Sequence, residues 1–192
     1  CAFSVVKNAL DSFPPGAIIA MRYLIAAAIT GALFHKRLRG LTRGDVARGA
    51  LVGLALFGAY IVQTIGLQYT TAGKNAFLTT IYVLLVPFGC ALLFHQRLQK
   101  DNLIAAALML VGIGLLSLDG QAGGLNVGDL LTLACGFLFA AHIIAVEQCQ
   151  RKTNPYALIV LQFAFCGLYA AVYSLTFERG MPMTFIPGSV GG

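Results

Sequence analysis

Charge is what this sequence has least of. Of its 192 residues, 10% are Asp, Glu, Lys or Arg and 58% are hydrophobic, against about 25% charged and 45–50% apolar in ordinary soluble domains. A chain of this size cannot coat a water-facing surface with so few charges, so a soluble globular domain is excluded and lipid is the fitting solvent. Paired cysteines are missing as well. Cys1, Cys90, Cys135, Cys149 and Cys166 form no CxxC, and four of the five lie in or at the ends of apolar runs, where small buried hydrophobes belong. A thiol-oxidising enzyme is thereby excluded. The sequence also lacks a Ser-His-Asp set, a metal-ligand cluster, a phosphate loop and an HExxH. No catalytic residue, metal or cofactor is expected. The thirteen basic residues outnumber seven acidic ones, but most sit in short connectors and leave no solvated face for nucleic acid.

What the sequence does have is long apolar runs. Spanning the hydrocarbon as helix takes about 20 residues, and six stretches meet that length: about Gly16–His35, Gly49–Leu67, Ala72–Phe94, Leu103–Leu118, Asp129–Glu147 and Pro155–Phe177. Cys1–Leu10 reads as the remnant of a seventh, not as a signal peptide, because no charged segment precedes it. Both ends of the chain read as cuts. Most of the 22 glycines lie inside the apolar runs, where small residues let membrane helices approach closely. Gly49 and Gly53, four apart, mark such a packing face.

The connectors alternate in charge. Loops 36–48, 96–101 and 148–154 hold five, two and two basic residues, nine of the thirteen, while Asp11–Pro15, Gln68–Thr71 and Asp119–Gly128 hold none. Basic loops stay on the cytoplasmic side. The expectation is a multi-pass protein of the plasma membrane, a bacterial inner membrane, with those three loops inside.

Sliding the chain by 140 positions lays the first two spans on the last two without a gap. Val6 falls on Val146, Pro15 on Pro155, Ala17 on Ala157 and Ile19 on Ile159. Five spans separate the copies, so the second must enter from the opposite face. Inverted repeats of this kind recur in secondary transporters, with the substrate site between them; two unrelated helical hairpins are the plainer alternative.

The run Gly66-Leu-Gln-Tyr-Thr-Thr-Ala-Gly-Lys-Asn-Ala-Phe-Leu-Thr-Thr80, followed by Val86-Pro87, resembles the EamA family of the drug/metabolite transporter superfamily. Val6-Lys7 before a proline-bearing loop, Arg22 early in its span and Gly128-Asp129-Leu-Leu-Thr-Leu133 match it too. The resemblance implies an all-α membrane bundle of two inverted five-helix repeats, ten helices in all. Residues 1–128 would be the first repeat and 129–192 the start of the second, about seven helices here with the first truncated. It implies a secondary, alternating-access transporter of a small metabolite such as an amino acid. Expected partners are that small molecule and the bilayer, with a homodimer allowed. A structural or assembly subunit, or an intramembrane enzyme built on His142, stays open as an alternative.

Within the spans, charge costs roughly 2.5–3.5 kcal/mol per Lys or Arg at the bilayer centre, so Lys7, Arg22 and Lys74 need reasons. They lie near the outer ends, either snorkelling to headgroups or pairing with Asp11, or forming an anion-attracting mouth. The 140-residue offset sets Lys7 on Glu147 and Arg22 on Gln162. Polar stripes at helical spacing are candidate cavity linings. They are Tyr60, Gln63 and Thr64; Asn75, Thr79 and Tyr82; and Gln162, Cys166, Tyr169 and Tyr173. Interhelical hydrogen bonding is the plainer account of each stripe. His142 could relay protons, with an ordinary pKa near 6.5, or simply pack. Pro87 frees a carbonyl four residues upstream and is expected to kink its helix as a gate or hinge.

Overall fold

Each long helix among the described residues begins where the sequence supplies a cap or a proline. The computed structural model describes residues 13–38, 40–94 and 126–179, with 6, 9, 10, 101, 104, 107, 108, 111 and 112. Helix α1 (Pro15–Leu33) starts on a proline whose fixed φ suits the first turn. A basic connector follows, and Gly40, at φ +86°, makes the left-handed turn that only glycine adopts freely. Helix α2 (Arg43–Tyr69) opens on a reciprocal cap between Thr42 and Asp45. It therefore starts six residues before the expected Gly49, because capping and not hydropathy sets its end. Helices α3 (Ala72–Thr79) and α4 (Tyr82–Phe94) together fill the expected third full span. Helix α5 (Val127–Gln150) opens on a second reciprocal cap, Asn126 with Asp129. Helix α6 (Pro155–Phe177) coincides with its expected bounds and again starts on proline, 140 positions after α1. Among the described residues there is no strand.

Among the described residues five stretches are long and apolar enough to cross a bilayer: Pro15–Leu33, Arg43–Tyr69, Ala72–Leu93, Val127–Gln150 and Pro155–Phe177. The chain is an all-α, multi-pass membrane protein. Their outward faces are as apolar as their cores, with Ile29 62% and Leu33 71% exposed, as lipid-facing helices require. The expected spans Cys1–Leu10 and Leu103–Leu118 lie largely outside the described residues, although Asp101, Ile104, Ala107, Leu108, Val111 and Gly112 are helical.

Helix α2 stands at the centre, packed on both α5 and α6; α1 lies along α6, and α3 and α4 lie along α5. Lipid is as apolar as leucine, so these contacts rest on close packing and polar bonds. The core is accordingly rich in small residues: Ala59, Cys135, Cys166 and Ala170 are fully buried beside Ile19, Tyr23, Leu56 and Phe139. A Cβ on Gly49 would collide with the Leu161 side chain, and one on Gly53 would stand 2.9 Å from the Gln162 carbonyl. The expected glycine packing face is therefore present, against α6. At the other end of α2, Gly66 meets the backbone of Gly128 on α5.

The contacts also fix directions. Gly16 N–H donates to Glu178 at one end of the α1–α6 pair, and Phe34 packs on Tyr156 at the other, so these helices are antiparallel. Helices α3 and α4 run parallel to α5, from Lys74–Asp129 through Ile81–Gly136 to Gly89–Ile144. Gly112 lies against Phe77 of α3. At one face, Arg48 donates to the Lys152 carbonyl and to Thr153 Oγ1, which puts the basic connectors before α2 and before α6 on the same side.

Candidate substrate cavity

The third full span is the one the sequence cannot keep continuous. Thr79, Thr80 and Ile81 are three β-branched residues in a row, poor in χ1 freedom within a helix. Thr79 Oγ1 donates back to the Asn75 carbonyl at 2.7 Å and Thr80 Oγ1 to the Phe77 carbonyl at 2.5 Å, a pattern that bends helices. Across Thr80 and Ile81 the ladder tightens into i→i+3 bonds, Thr80 N–H to the Phe77 carbonyl, Ile81 N–H to that of Leu78 and Val83 N–H to that of Thr80, and regular α-helix resumes at Tyr82. Helix α4 runs through Pro87, and the interruption lies nearer the start of the span, where hydroxyls compete for backbone carbonyls.

A cavity of about 480 Å³ opens beside this break, within the range of small-molecule sites. Helix α2 supplies Tyr60, Gln63 and Thr64, the α3–α4 break supplies Thr79, Thr80 and Tyr82, and α5 supplies Phe139 and His142. Arg22 of α1 closes the ring, its guanidinium carbon 5.6 Å from the Tyr60 ring centre and 5.9 Å from that of Tyr23, within cation–π range. Tyr60 meets Phe139 edge-on at 5.0 Å, and Tyr82 lies 5.9 Å from the same ring. His142 is buried on this wall, and its Nδ1 has no hydrogen-bond partner among the described residues.

Behind the wall runs a polar ladder. Gln63 Nε2 donates to Thr79 Oγ1 at 2.9 Å, and Asn75 Nδ2 donates to Thr132 Oγ1 at 2.8 Å and to the Gln63 carbonyl at 3.3 Å. Asn75 is thus fully buried in the α2–α3–α5 interface and does not line the cavity. Gln162 and Tyr169 are also away from it. Gln162 is buried where Gly53 draws the α6 backbone against α2, with its Oε1 unpartnered among the described residues. Tyr169 stacks on Phe165 and reaches the Ala50 carbonyl at 3.5 Å. Lys7 falls outside the described residues.

Lys74 neither snorkels nor opens onto a mouth. Its Nζ lies 2.9 Å from Asp129 Oδ2, with side-chain exposures of 7% and 0%, and Thr70 donates to Asp129 Oδ1 at 2.6 Å. Sequence reasoning misses Asp129 as a partner for this lysine. The local signal, an acid three residues after Asn126 at a helix start, reads as a cap alone. Among the described residues no group of three or more His, Cys, Asp or Glu could hold a metal.

The cavity is bounded by one cation and by polar groups from several spans. The sequence profile of the EamA-like transporter family matches residues 1–118. The chain belongs to the EamA-like transporter family. The EamA chain is similar to two proteins of Archaeoglobus fulgidus, each named an uncharacterized transporter. One is 37% identical over 177 residues, covering 91% of this chain and 54% of that protein. The other is 26% identical over 199 residues, covering 98% of this chain and 67% of that protein. This EamA chain therefore spans about half to two thirds of the length of the relatives it matches. No solved structure matches it significantly.

Proposed function

We propose that the full-length protein carries a small metabolite, such as an amino acid or a related solute, across the plasma membrane by alternating access. The cavity beside the Thr80–Ile81 break is its substrate site. In this reading residues 1–128 belong to the first of two inverted repeats and 129–192 begin the second. The basic connectors are cytoplasmic, which sets the Lys74–Asp129 pair at the outer end.

The observation that carries the reading is the interrupted helix on the wall of an intramembrane cavity. A tightened 3₁₀ stretch inside a helix often marks a functional hinge, and interrupted helices mark the sites of many carriers. A second support is the contact between Tyr23 and Phe163, whose rings lie 5.5 Å apart at 49°. They are 140 positions apart, so they are equivalent in the two copies. Equivalent residues touch when a two-fold axis passes between them, and α1 and α6 run antiparallel as that axis requires.

The test is exchange in proteoliposomes made with the full-length protein. Uptake of a labelled metabolite should saturate, and unlabelled solute on the far side should accelerate it. Correctly inserted protein that gives no such acceleration with any member of a broad metabolite panel would remove alternating access as its function.

A further inference from the structure

Arg22 is the starting point. It sits seven residues into α1, about 10 Å along the helix from Pro15, and its guanidinium faces tyrosine rings in the cavity. Among the described residues no carboxylate pairs with it. The ion pairs there are Arg48–Asp45, Lys74–Asp129 and Arg151–Glu147, and Glu178 accepts the Gly16 N–H at the end of α1. None of those acids lines the cavity. The threonine hydroxyls on its wall are also committed, since Thr64 donates to the Tyr60 carbonyl and Thr80 to that of Phe77. Arg22, exposed on the cavity wall with no counter-charge among the described residues, is a site for an anion that arrives with the ligand.

The remaining walls state what else the ligand carries. Tyr60, Phe139 and Tyr82 form a chain of ring contacts leading away from Arg22, which suits an apolar or aromatic body. An ammonium group would meet no carboxylate on the described walls. We infer that the cavity selects an organic carboxylate with an apolar or aromatic body and no amino group, bound through Arg22. This rests on the transporter reading and narrows it from amino acids to their deaminated relatives.

The test compares four ligands of matched body on the full-length protein in nanodiscs: 3-phenylpropionate, L-phenylalanine, 2-phenylethylamine and 3-phenyl-1-propanol. Calorimetric titration should show 3-phenylpropionate binding at least about tenfold more tightly than each of the others. Arg22→Gln should erase that preference, and Arg22→Lys should retain part of it, with melting temperatures confirming that both variants fold. If Arg22→Gln does not fold, the ligand order in the unmodified protein and the Arg22→Lys titration decide. Tighter binding of the amine or the zwitterion, absence of 3-phenylpropionate binding, or a preference unchanged in Arg22→Gln would overturn the inference. The two readings fail separately. Accelerated exchange of a solute without preference for the carboxylate removes this inference alone, whereas carboxylate-selective binding without exchange removes the transport reading alone.

Discussion

Lys74 and Asp129 form an ion pair, 2.9 Å apart, that locks the start of α3 to the start of α5. Both side chains are almost completely buried, and Asp129 also accepts from Thr70 and from the Asn126 N–H. Breaking one side of such a pair strands a buried charge, at a cost of roughly 3–5 kcal/mol. Asp129→Asn should therefore lower the melting temperature in detergent sharply. The double replacement Lys74→Met with Asp129→Leu should lose much less. Equal losses in the single and double variants would show that the pairing itself is not what holds α3.

The packing of α2 on α6 predicts a contrast between glycines. At Gly53 a Cβ would meet the Gln162 carbonyl, which cannot move as a side chain can, whereas at Gly58 nothing lies within 4 Å. Gly53→Ala should cost about 1–3 kcal/mol. Gly58→Ala should be neutral or slightly stabilising, by up to about 1 kcal/mol of helix propensity. Thermal melting of the two variants side by side checks the order.

The break at Thr80–Ile81 predicts a kinetic effect. Thr80→Ala with Ile81→Leu removes one hydroxyl back-bond and the β-branching of both residues, which favours a continuous helix. Exchange should slow about tenfold, or some 1.4 kcal/mol in barrier, more than any loss of ligand affinity measured beside it accounts for. Unchanged exchange with demonstrably altered helix geometry would mean that the break does not gate the carrier.

Sidedness is testable by labelling. In a cysteine-free background of the full-length protein, single cysteines at Arg43, Lys100 and Arg151 should resist an impermeant thiol reagent in intact cells. A cysteine at Gly123 should react. Labelling of positions 43 and 123 from the same side would overturn the span count.

Much of the architecture is legible in the amino-acid sequence, because hydropathy is a local property and lipid rewards it along a single stretch of chain. Pro155–Phe177 has the bounds that its apolar run and its proline predict, Gly49 and Gly53 do form a packing face, and the basic connectors before α2 and before α6 do share a side. Arg22, Tyr60, Gln63, Thr64, Thr79, Tyr82 and His142 meet in one cavity because polar residues inside apolar spans turn toward space or partners. Tertiary structure alone decides the rest. Whether a polar stripe lines a cavity or an interface depends on the rotation of its helix, and that rotation is set by where a neighbour's small residues admit close approach. Gly53, more than 100 positions from Gln162, places that glutamine in an interface. Asp129 answers Lys74 across 55 positions. The helix tightens at Thr80–Ile81 because two hydroxyls take backbone carbonyls in a helix that Asn75 and Thr79 dock onto its neighbours. These are properties of residue pairs distant in sequence, which no single stretch of chain contains.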